Sequence, residues 1–217
     1  ISLHPAALPA IGQTHYVVPT DVAPPSIRGP QMLTLNNGGT VRDFFRAGRG
    51  STVTITGGQM GRSFEVFGAT VNVSGGQVFS EFAAQEGSVV NISGGTGGAF
   101  FEAGRATVVN LSGGSIGTGF QAQTGSEINI TGGSLGNFFG AQTGSEVNIS
   151  GGAINNDFAA NSGSTVNLFG GEFRLDGVPV AGLGTLGNTV PINLPSGSQL
   201  SGTLAAGTPI AFTFKMG

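Results

Sequence analysis

Gly-Gly pairs begin at Gly38, Gly57, Gly75, Gly94, Gly113, Gly132, Gly151 and Gly170, so successive steps are 19, 18, 19, 19, 19, 19 and 19 residues. A fixed period of this size marks a solenoid, in which one unit cannot bury its apolar face alone and must stack on the next. Aligning the units exposes a column of phenylalanine: Phe45, Phe64, Phe82, Phe101, Phe120, Phe139 and Phe158. Two residues later runs a column of small residues, Ala47, Val66, Ala84, Ala103, Ala122, Ala141 and Ala160. Spacing of two places both columns on one face of a strand, and we expect them to point inward.

A second strand carries alternating aliphatics, from Val53-x-Ile55 and Val71-x-Val73 through Val147-x-Ile149 to Val166-x-Leu168. After the Gly-Gly turn comes a third apolar column, Val41, Met60, Val78, Ile116, Leu135, Ile154 and Phe173, broken by Gly97. We therefore expect an all-β chain, a single-stranded parallel β-helix of about seven 19-residue coils with three short strands per coil. Left-handed helices of hexapeptide type need three equal six-residue sides, which nineteen does not supply, so a right-handed helix is expected. The Gly-Gly pairs read as corners needing positive φ, not as a phosphate loop, because no helix follows them.

Asn72, Asn91, Asn110, Asn129 and Asn148 each stand in Asn-x-Ser/Thr, the pattern that accepts N-linked sugar. Their aliphatic neighbours face the core, so the asparagines face out and their amides can bond from coil to coil as a ladder. The sequons are by-products of that ladder.

The flanks differ from the repeat. Residues 1–37 are expected to form an extended N-terminal cap, residues 38–173 the helix, and residues 174–217 an irregular β cap with a hairpin at Asp176-Gly177. His4 and His15, the two histidines, lie in the first segment without the company a zinc or Ser-His-Asp site needs. The first residue is Ile1, so we expect a fragment or processed form linked to further domains of a longer parent. With 9% charged residues, net charge −3 and pI near 5.2, no basic patch exists for nucleic acid. No apolar run approaches membrane-spanning length, and the absence of cysteine excludes a disulfide framework.

Chemistry is expected on the residues that point away from the core beside the phenylalanine column. That lane holds Phe44, Ser63, Glu81, Phe100, Gly119, Phe138 and Asp157, followed two residues on by Arg46, Glu65, Ala83, Glu102, Gln121, Gly140 and Ala159. Phe44, Phe100 and Phe138 offer apolar platforms for sugar rings, with Glu81 among them. Surface ion pairing is the plainer alternative, with Arg46–Glu65 and Glu86–Arg105 at equivalent positions one coil apart. Glu127 and Glu146 also stack, repelling mildly.

Over residues 38 to 173 the coil period, the asparagine column and the stacked aromatics resemble the right-handed parallel β-helix proteins, in particular the pectate lyase-like superfamily of secreted bacterial polysaccharide lyases. The resemblance implies an extracellular or cell-surface protein that binds or cleaves an acidic uronate polysaccharide. It implies calcium held by acidic residues, here Glu65, Glu81 and Glu102, and an arginine base, here Arg46 or Arg62. The coils are shorter than is usual for such lyases, and the uniform step leaves no room for their long cleft loops. That regularity favours the alternative of a non-catalytic structural or adhesive rod. Ice binding would need flat threonine arrays, and Thr52, Thr54, Thr70 and Thr165 are scattered.

Overall fold

The computed structural model describes residues 14–184, 190 and 195–215, and every regular element among them is a β-strand. His4 lies outside the described residues. Three parallel rows of strands wind into a β-solenoid of about eight turns. The first row has nine rungs, from His15–Val18 and Met32–Leu35 to Glu146–Ile149 and Thr165–Leu168. Its alternation is the expected one: in Glu127–Ile130 the two isoleucines are buried, Glu127 is exposed and Asn129 is half-buried.

The second row follows the Gly-Gly corner, as in Gln59–Met60 and Ser134–Leu135. Two longer strands, Val89–Gly97 and Val108–Ile116, run through that corner without a break. The third row has eight rungs of two or three residues, from Ser26–Ile27 to Ala159–Ala160, and carries the small column inward.

Phenylalanine fills the interior beside the small column. All seven rings are buried, and neighbouring centroids lie 4.4 to 5.6 Å apart. Small residues beside large rings leave the rings room to stack, and aromatic pairs add stabilisation beyond the area they bury.

The asparagine ladder is present: each amide Nδ2 donates to the Oδ1 of the preceding coil, from Asn91 to Asn72 at 2.9 Å through to Asn167 to Asn148 at 2.7 Å. A second, unforeseen column lies at the corner before the first row. There Ser51, Ser88, Ser126, Ser145 and Ser164 each donate their hydroxyl to the carbonyl three residues back. Turned toward the core, these hydroxyls are satisfied locally and cost little. The coil with the 18-residue step lacks this serine and has Ala69 there, and the backbone N–H of Gly68 donates to Ser88 of the next coil instead.

Both ends differ from the expected boundaries. The ladder starts before residue 38: His15–Val18 pairs in parallel with Met32–Leu35, and Ser26–Ile27 pairs with Arg46–Ala47. His15–Val18 has no Gly-Gly corner and Met32–Leu35 leads into the first one, at Gly38, but their steps of 17 and 20 residues hide both rungs from a 19-residue search. At the other end Gly170–Gly171 does not form a corner but opens Gly170–Leu175, a strand of an antiparallel four-stranded cap. The expected hairpin is there, with Asp176 and Gly177 at φ 50° and 80°. Phe212 and Phe214, from the last cap strand and just beyond it, close on Phe158 and continue the aromatic column past the final coil.

Candidate functional site: the phenylalanine lane and its sheet

Each coil bends just before its buried phenylalanine, and the bend is left-handed. Phe44, Ser63, Glu81, Phe100, Phe138 and Asp157 all have φ between 52° and 67°, and Gly119 has φ 81°. The reason lies in the hydrogen bonds. Most coil N–H groups donate back to the preceding coil, as Glu102 does to Phe82, whereas Phe44, Phe100 and Phe138 donate forward to Arg62, Thr118 and Asn156. Reversing one N–H in this way turns the chain and throws the side chain outward. Phe44, Phe100 and Phe138 are accordingly 68%, 65% and 43% exposed.

Coils lie about 4.8 Å apart, so Phe44 and Phe100 are separated by about 14 Å and Phe100 and Phe138 by about 10 Å along the rod. Gly119 sits between the last two. A Cβ there would lie 3.1 Å from the Phe100 ring, so that ring rests over the glycine of the next coil. The Lys215 ammonium stands 5.2 Å from the centroid of Phe138, within cation–π range, at the C-terminal end of the lane.

The charged residues are spread along the sheet. Arg46 Nε donates to Glu65 at 2.6 Å, the expected pair between neighbouring coils. Glu81 accepts from the Ser63 hydroxyl at 2.7 Å, and Glu102 accepts from the Gln85 amide at 3.2 Å. The backbone N–H of Arg62 donates to Asp43. Glu65, Glu81 and Glu102 thus have three separate partners, and among the described residues no three acidic, histidine or cysteine side chains converge as a metal needs. The arrangement does not fit the calcium site that the resemblance implied. Of the two candidate bases, Arg46 is already the donor of an ion pair.

Two surface pairings differ from expectation. Glu86 faces Arg49, at 3.9 Å, rather than Arg105. The short coil between them contributes only Gly68, whose missing side chain leaves the two charges in reach across it. Glu127 and Glu146 are stacked, but each accepts from a ladder amide, Asn129 at 2.9 Å and Asn167 at 3.3 Å.

Beyond the lane, the same sheet carries a polar edge that the columns alone did not single out. Gln85, Gln123, Gln142 and Asn161 occupy one position on successive coils, interrupted by Gly104. Gln142 donates to Gln121, and Asn161 donates to Gln142. The signal in the sequence was the glycine breaking a run of amides. Comparison of the chain with protein-family models, curated proteins and solved structures gives no significant match. The fold defines it as a parallel β-solenoid protein with an asparagine ladder.

Proposed function

We propose that the chain is a polysaccharide-binding rod of an extracellular or cell-surface protein, with the glycan lying along the rod axis across Phe44, Phe100 and Phe138. The observation that carries this reading is that three large aromatics are both exposed and held at positive φ. A non-glycine residue in the left-handed region costs about 1–2 kcal/mol, and an exposed phenylalanine gains little of the roughly 1.5–3 kcal/mol that burial gives. Neither the corner nor the core needs phenylalanine there, and such strain marks functional surfaces. The ring faces suit the C–H face of a pyranose, and one sugar unit of an extended glycan advances by about one coil spacing.

The electrostatics favour a neutral glycan over a uronate polymer. Glu65, Glu81, Glu102 and Asp157 share this surface with Arg46, Arg62, Arg105 and Lys215, so the charges balance and an acidic chain finds no net attraction, and the carboxylates do not gather a bridging cation. We assign binding rather than cleavage, because Arg46 is engaged by Glu65, while Glu81 and Glu102 are held by Ser63 and Gln85. The uniform coils also suit a purely structural or adhesive rod, which the same experiment separates.

Electrophoresis through gels cast with galactomannan, hydroxyethylcellulose or polygalacturonate tests the reading. Expected are retardation by a neutral polymer and loss of it in F44A/F100A/F138A, with no unsaturated product absorbing in the ultraviolet. Free migration in all gels, or equal retardation of the triple variant, would leave a structural rod. Calcium-dependent product from polygalacturonate would make the protein a lyase.

A further inference from the structure

A groove of about 730 Å³ opens on the same sheet, lined by Gln85, Glu102, Gly104, Arg105, Gln123 and Thr124. Its origin is the interruption at Gly104. On the coils either side this position carries Gln85 and Gln123, so a glycine between them leaves a notch one side chain deep. Gln85 leans into that space, since a Cβ on Gly104 would collide with its amide oxygen, and from there it donates to Glu102 at 3.2 Å.

Arg105 completes the set. Its expected partner Glu86 pairs with Arg49 instead, and the Arg105 side chain runs over Gly125, which also lines the groove; a Cβ on that glycine would lie 3.7 Å from Arg105 Cγ. Glu102 lies two residues beyond the exposed Phe100 on the same coil. The groove therefore offers an acceptor carboxylate, a donor guanidinium and amides that do both, beside an aromatic platform. Carboxylate and guanidinium together match a pair of neighbouring hydroxyls, one donating and one accepting. A net anion would face Glu102.

We infer that this groove is the specificity subsite of the rod, taking the vicinal hydroxyls of one neutral sugar unit whose ring lies on Phe100. The inference rests on the glycan-binding reading above and adds the part of the sheet that chooses the sugar.

The test restores the interrupted column. G104Q places the residue found on neighbouring coils into the notch, and R105Q removes the donor. Both are compared with wild type and F100A by calorimetric titration with the neutral polymer that retards wild type, alongside thermal melts. Expected are an unchanged melting temperature for R105Q, a lower one for G104Q, whose Cβ must displace the Gln85 amide and crowds the Ala84 carbonyl oxygen, and at least tenfold weaker binding for both. Wild-type affinity in both variants, with F100A weakened, would overturn the subsite and keep the platform. If F100A also binds like wild type, the platform itself is wrong. Should G104Q fail to fold, R105Q alone decides by the same criterion. Tighter binding of polygalacturonate than of any neutral polymer, lost in R105Q, would mean that the groove takes a carboxylate.

Discussion

Phe120 lies between Phe101 and Phe139, at 5.0 Å from each ring centroid, with about 1% of its surface exposed. Phe120→Ala should cost about 3–5 kcal/mol, the range for truncating a buried aromatic in a core that cannot collapse around it. Denaturant unfolding measures this, and an unchanged midpoint would contradict the packing. Asn129 is half-buried, donates to Asn110 and Glu127 and accepts from Asn148. Asn129→Ala should cost less, about 1–2 kcal/mol, because water can replace part of what is lost. Both residues were legible from spacing, since inward and outward positions alternate with period two. The left-handed corner at Phe44, Phe100 and Phe138 was not. Its occupants are Phe, Ser, Glu, Gly and Asp, and only Gly119 advertises positive φ.

At the scale of the coil, glycine does two different jobs in one pair. Gly114 has φ 71°, whereas a Cβ on Gly113 would lie 2.4 Å from the Ser93 carbonyl oxygen. That carbonyl belongs to the coil below and cannot step aside. Gly113→Ala should therefore destabilise by more than about 2 kcal/mol. Gly119→Asn should cost less than about 1 kcal/mol, because asparagine tolerates the left-handed region and the nearest obstacle is the movable Phe100 ring. Equal losses in thermal unfolding would show that the two glycines are not distinguished in this way. The 19-residue step made the coils legible from Gly38 to Gly152. It missed the rungs at His15 and Met32, where strand registers hold but corner lengths change. It also overran at Gly170, where both glycines of the pair belong to an antiparallel strand. Glu86 was matched to the wrong arginine for a related reason, because the shortened coil lets it reach past Gly68 to Arg49.

The whole molecule is a rod whose aromatic core is sealed at one end by Phe212 and Phe214 on Phe158. The antiparallel cap meets the last coil at Phe158, which bridges to Phe214, and at Asp157, whose backbone N–H donates to the Thr213 hydroxyl, while among the described residues Thr165–Leu168 is the outermost rung of the first row. Along the outside, strain and exposure coincide at three phenylalanines on one lane, and a polar groove opens where the amide column is broken. Core stability accounts for neither feature. The central claim is that Phe100 is kept for a ligand and not for the fold. It is tested most directly by measuring melting temperature and neutral-glycan affinity together for Phe100→Asn. Asparagine suits the backbone there, so the melting temperature should hold or rise by about 2 °C, the size expected for under 1 kcal/mol in a chain of this length, while affinity falls. A lowered melting temperature with affinity intact would contradict the account and return Phe100 to the structural framework.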